Sequence, residues 1–169
     1  GMQPVINKLS ISGLGEDDVI GFHGTLGADS ITASQAVPDG RGLGTSTVLA
    51  VVGVTYLPID FGTYEGLDIF GTGGNDSVFV NNTHGLVLPN VNGIFYDGGV
   101  GNDDLTLNGS TAIDTTTYNV GPDENSGWSV HELVDDPIDD TQTVFFTNLE
   151  PVFDLVNATD LVVNATGDD

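Results

Sequence analysis

The nine residues Gly98-Gly99-Val100-Gly101-Asn102-Asp103-Asp104-Leu105-Thr106 bring together groups suited to one chemistry. Glycines at 98, 99 and 101 let the backbone turn tightly and point carbonyl oxygens inward, where Asp103 adds a carboxylate. A hard cation such as calcium is bound by that oxygen set. Three further stretches carry the same pattern with one altered position: Ser12-Gly13-Leu14-Gly15-Glu16-Asp17, Gly24-Thr25-Leu26-Gly27-Ala28-Asp29 and Gly71-Thr72-Gly73-Gly74-Asn75-Asp76. The expected ligand set is therefore the carboxylates of Asp17, Asp29, Asp76 and Asp103, with the turn glycines Gly15, Gly27, Gly74, Gly99 and Gly101 supplying the backbone. Asp114 follows Gly109 but lacks the glycine frame, because the intervening β-carbons penalise the turned backbone. The competing reading of the same residues is a metal-free corner, in which each carboxylate caps backbone N–H groups.

The repeated pattern G-G-x-G-x-D-x-U-x resembles the haemolysin-type (RTX) calcium-binding repeat. That resemblance implies a parallel β-roll, Ca2+ held between stacked turns, and a place in a large secreted bacterial repeat protein. In that family the nonapeptides follow one another directly. Here the aspartates are separated by 12, 47 and 27 residues, so sharing of each ion between neighbouring turns does not carry over. Asp76 and Asp103, 27 residues apart, are the pair expected to stack as one coil. The stretch Gly71–Asp76 also resembles the threonine-bearing repeat of ice-binding RTX domains, but one copy does not make their flat face.

Composition narrows the function classes. The 169 residues hold 25 Asp plus Glu against 2 Lys plus Arg, a formal charge of −23 that repels nucleic acid and anionic membrane and attracts cations. With no cysteine, neither a disulfide framework nor a thiolate site is open, and oxygen ligands are what remain for a metal. No apolar run is long enough for membrane insertion. Lyase chemistry needs a base, and Lys8, Arg41, His23, His84 and His131 are scattered. A glycosidase needs only two carboxylates, which are abundant. The resulting expectation is a non-enzymatic, calcium-binding structural module, extracellular or cell-surface. Its partners would be calcium ions and neighbouring repeat modules of a parent chain. The alternatives are a carbohydrate-active β-helix enzyme and an adhesin whose ligand is carbohydrate or another surface protein.

The elements that must position these turns are short strands. Residues 47–52, 54–57, 67–70, 77–80, 85–88 and 143–146 are rich in β-branched or aromatic residues and bounded by turn formers. No sustained 3.6-residue period supports a helix. Residues 36–44 and 121–140 read as insertions, the second an acidic loop carrying Trp128. Asp17 and Asp103 lie 86 residues apart, and the Phe61–Glu65 and Phe146–Glu150 stretches lie 85 apart, which predicts a duplication. Gly1-Met2 reads as a remnant of expression and residues 1–7 as lead-in. Residues 8–92 then form one repeat module and 93–169 a second, truncated one. The fold class expected is all-β, a right-handed parallel β-helix or β-roll with irregular coils, with a two-sheet β-sandwich as the alternative.

Overall fold

The computed structural model describes residues 9–12, 18–35, 47–52, 59–62, 64–87, 92–109, 112–133 and 141–165. Among them the chain is all-β, with no helix. In chain order the strands are β1 (Leu9–Ser12), β2 (Val19–His23), β3 (Ser30–Gln35), β4 (Thr47–Val52), β5 (Ile59–Gly62), β6 (Gly66–Phe70) and β7 (Ser77–Asn81). They continue with β8 (Gly93–Asp97), β9 (Asp104–Asn108), β10 (Ile113–Val120), β11 (Gly127–Leu133), β12 (Thr141–Thr147), β13 (Val152–Asp154) and β14 (Ala158–Asn164). Two mostly parallel seven-stranded sheets result. Sheet I has the order β1-β5-β4-β3-β7-β9-β13, and sheet II the order β14-β10-β11-β12-β8-β6-β2.

Residue alternation explains how the sheets meet. Val78, Val80, Leu105 and Leu107 on one sheet, and Leu67, Ile69, Ile94, Tyr96, Val144 and Phe146 on the other, are every second residue of their strands and share one core. Each fully buried Val, Leu or Ile contributes about 1.5–3 kcal/mol, and a one-residue slip would turn the whole set to solvent. The register is therefore well specified. It pairs Leu67 with Ile94 and Val78 with Leu105, the 27-residue spacing expected from Asp76 and Asp103. It also pairs Ile20 with Leu67 and Ile31 with Val78, at the 47-residue spacing of Asp29 and Asp76. The chain crosses from sheet II to sheet I at residues 24–29, 71–76, 98–103 and 148–151, and these crossings lie side by side.

Three local expectations differ from the structure. The 86-residue offset is not the one the backbone register follows: β2, which follows Asp17, lies in sheet II, whereas β9, which follows Asp103, lies in sheet I. The acidic excursion contains a strand, since Trp128 sits on β11, which pairs antiparallel with β10 and β12. Residues 121–126 form the turn that precedes it, and residues 134–140 lie outside the described residues. Gly85 makes only an isolated bridge with Thr83, because Asn82 folds back to accept the Val87 N–H and holds this segment as a turn. The strand expected at 54–57 and the insertion at 36–44 lie outside the described residues.

Candidate cation site: a ladder of stacked aspartate turns

The three crossings with sequence GTLGAD, GTGGND and GGVGND stack so that Asp29, Asp76 and Asp103 form a ladder. The Asp29 N–H donates to Asp76 Oδ1 at 2.7 Å, and the Asp76 N–H donates to Asp103 Oδ1 at the same distance. Backbone bonds flank these rungs: the Ser77 N–H donates to Asp29 O, the Asp104 N–H to Asp76 O and the Glu150 N–H to Asp103 O. The fourth crossing, 148–151, thus extends the stack without a glycine motif. Gly74, at φ +116°, shows why glycine is required here: a β-carbon would lie 2.5 Å from Gly27 C, in the turn beneath.

Asp76 and Asp103 each commit one carboxylate oxygen to this ladder, and the fate of Oδ2 differs along it. Asp29 Oδ2 accepts from the Thr25 N–H at 2.6 Å and the Thr25 hydroxyl at 2.9 Å. Asp76 and Asp103 are wholly buried, yet Oδ2 of each has no hydrogen-bond partner. The residues equivalent to Thr25 are Thr72 and Gly99, which have φ of +81° and +87°. Such a backbone does not reproduce the Thr25 bond. A β-carbon on Gly71 would meet both Asp76 Oδ2 and Gly98 O, and one on Gly98 would meet both Asp103 Oδ2 and Asn148 O. Each orphaned carboxylate oxygen therefore shares a narrow space with a carbonyl from the next turn.

The electrostatics are unfavourable as they stand. Burial pushes the Asp76 carboxyl above its ordinary value, against the lowering effect of the Asp29 N–H, and the charges of Asp103 and Asp29 raise it further. Asp103 is raised mainly by burial too, with Asp104 and Asp97 adding to it and the Asp76 N–H opposing. Tyr96, buried in the core, has a hydroxyl without a partner, and its ionisation is suppressed by burial and then by the charges of Asp103 and Asp76. A buried anion without a counter-charge takes up a proton or a cation.

Of the residues expected to bind metal, Asp29, Asp76 and Asp103, with Gly27, Gly74, Gly99 and Gly101, are brought to this one edge. Asp17 and Gly15 lie outside the described residues. Asp114 is exposed on β10 rather than closing a turn. Among the described residues no three His, Asp or Glu side chains converge, so a cation on the ladder would draw on single carboxylates and carbonyl oxygens.

A second polar construction lies where sheet I ends. The Ser129 hydroxyl donates to Asp154 Oδ2 at 2.6 Å, and His131 Nε2 lies 2.9 Å from the same oxygen. The proton positions behind His131 follow from the backbone. The Val87 N–H donates to Asn82 Oδ1, so Gln142 Nε2 is a donor to that oxygen and to Val87 O, which turns Gln142 Oε1 toward Asn82 Nδ2 and His131 Nδ1. His131 Nδ1 therefore carries hydrogen, and the Nε2–Asp154 contact is attractive with a proton held between them. Burial alone would raise the Asp154 carboxyl, but the hydrogen bond and charge of His131, with Ser129 and the Val156 N–H, hold it below the ordinary value. Ser, His and Asp are the residues of a nucleophilic triad, but Ser129 Oγ is 3.4 Å from the imidazole and fully buried. No sequence spacing pointed to this cluster, whose members come from β11, β12, β13 and the turn after β7.

Comparison with protein-family models, with curated proteins and with solved structures finds no match to this chain.

Proposed function

We propose that this chain is a non-enzymatic, calcium-stabilised structural module of a large secreted or cell-surface protein, folded as a right-handed parallel β-helix whose coils stack through the aspartate ladder. The observation that carries this reading is the pair of buried, unpartnered carboxylate oxygens on Asp76 and Asp103, at successive turns beside the carbonyls of Gly98 and Asn148. Calcium held there would offset carboxylate repulsion in a chain of charge −23 and would couple metal binding to folding. Two further observations support it. Hydrogen bonding between turns commits only Oδ1 of these aspartates, so the metal-free corner accounts for half of each carboxylate. The Ser129–His131–Asp154 cluster holds a proton and an interior, which favours a structural role over hydrolysis.

The test is thermal unfolding in EDTA and in excess calcium at constant ionic strength. Calcium at 100 times its dissociation constant adds about 2.7 kcal/mol. For a domain of this size that is a rise of roughly 5–10 °C. An unchanged melting temperature contradicts the proposal.

A further inference from the structure

The two sheets are offset by three strands at each end. Beyond β3, sheet I continues with β4, β5 and β1, while sheet II stops at β2. Beyond β12, sheet II continues with β11, β10 and β14, while sheet I stops at β13. Among the described residues, neither overhang has strands of the other sheet facing it. Both are built alike, with two antiparallel pairings followed by a parallel one. Strand direction follows: β1 runs with β13, and β14 runs with β2.

The inner face of the sheet II overhang is mixed: Ser129 and His131 on β11 and Thr116 on β10 are polar and buried, and the face opens and turns apolar toward β14. A cleft of about 360 Å³ lies between β13 and this face, walled by Val152, Val156, Leu161 and Val163 beside Tyr118, with Asp154 and Asn157 supplying polar atoms at its margin. Thr116 Oγ1, also in its lining, is buried without a partner. Leu161, Val162 and Val163 of β14 are 69%, 43% and 60% exposed, and Val19 on β2, the opposite edge of the same sheet, is 48% exposed. An apolar edge strand of this kind is a template for pairing with another strand.

The geometry points to a lap joint between copies of this chain. A second copy lays its β1-β5-β4 overhang over the first copy's β11-β10-β14 overhang, so that β14 pairs in parallel with the next copy's β2, and β13 with its β1. The occupant is a second copy because three strands meet three and both new pairings keep the direction of their sheet. One row of residues on sheet II runs Val19, Gly66, Gly93 at one end and Val130, Thr117, Val162 at the other. The β8–β12 and β11–β12 registers join these ends through Thr143. Continuing the row across the joint sets Val162 beside Val19 of the next copy. The contact is head to tail, so it leaves a free overhang at each end and propagates. Charge of −23 on each copy opposes it, and screening by salt or calcium favours it. The joint rests on the stacked-sheet half of the proposed function and not on calcium at the aspartate ladder.

The chain has no cysteine, so single substitutions report the joint cleanly. Val19→Cys and Val162→Cys both alter exposed positions, and neighbouring in-register strands, about 4.8 Å apart, suit a disulfide. Mixed in oxidising buffer, once with calcium and once with EDTA in about 1 M salt, where the Debye length is near 3 Å, the two variants should give a mixed disulfide dimer. Neither variant alone should dimerise, and sedimentation of the unmodified chain should show mass rising with concentration. Self-linked Val162→Cys dimers in place of the mixed product would overturn the head-to-tail arrangement in favour of a two-fold edge. A monomer at every concentration with no mixed dimer would overturn the joint. Mixed dimer in EDTA at high salt, with no calcium effect on melting, would sink the calcium reading and leave the joint standing.

Discussion

The aspartate ladder and the His131–Asp154 cluster are both buried, polar and built across strands, yet they are balanced in opposite ways. Around His131 every donor has an acceptor, from the Val87 backbone through Asn82 and Gln142 to Asp154, and the carboxylate is held below its ordinary pKa. On the ladder, Asp76 and Asp103 each keep one oxygen without a partner, and both carboxyls are raised. A satisfied network supports the fold by itself; an unsatisfied one needs something from solution. The first therefore closes the end of the core, and the second is where the proposed calcium would act.

The largest effect should come from breaking the satisfied region. His131→Leu takes the imidazole away from Asp154 and Gln142 and should cost about 3 kcal/mol or more, since losing one member of a buried pair leaves the other charge uncompensated. In EDTA, Asp76→Asn should cost far less or even stabilise, because it removes an uncompensated charge and offers an N–H beside Gly98 O. Urea unfolding of both variants without calcium checks the contrast, and equal losses would mean that the two regions are not different in kind.

The pH dependence sharpens the comparison. Asp76 and Asp103 have folded-state pKa values above the ordinary 3.8, so the folded chain binds more protons than the unfolded one just above that value. Their contribution to stability falls as pH rises through the raised values. Asp154 behaves oppositely, its contribution being full above 3.8 and lost as pH falls through its lowered value. Without calcium, the melting temperature should rise as pH drops from neutral toward 3.8 and fall below it. General charge repulsion also weakens on acidification, so the reference is the Asp76→Asn, Asp103→Asn double variant, which should show a shallower rise.

How far the sequence disclosed all this depends on the reach of each signal. The stacking of Asp76 on Asp103 was legible because glycine and aspartate shape their own backbone, and a shared 27-residue spacing repeats both strand pairs. The fate of the second carboxylate oxygen was not legible, because it turns on whether the residue after the first glycine takes the Thr25 or the Thr72 conformation. His131 and Asp154, 23 residues apart, meet only because β11 and β13 belong to different sheets. The overhangs were hidden for the same reason, since β14 finds β10 and β1 finds β5 through long-range pairing that no local pattern encodes. The 86-residue offset rested on sequence likeness alone, and the strands that follow Asp17 and Asp103 belong to different sheets.

A smaller effect lies within the ladder. Thr72 is β-branched and sits at φ +81°, where Gly99 stands one turn further on at +87°. Thr72→Gly should relieve that backbone strain and stabilise the chain by about 1 kcal/mol, after the entropic cost of the new glycine. Thermal unfolding at fixed calcium reads it, and destabilisation would show that the threonine side chain is held by contacts that outweigh the strain.

The most direct measurement is calorimetric titration of calcium into the unmodified chain, the Asp76→Asn, Asp103→Asn double variant and Asp114→Asn. Each lost carboxylate lowers the total charge, but only the first two positions are buried at the stacked turns. Calcium should bind the unmodified chain, binding should be lost in the double variant, and the affinity of Asp114→Asn should be nearly unchanged. Undiminished binding in the double variant, or no binding by the unmodified chain, would contradict the calcium reading.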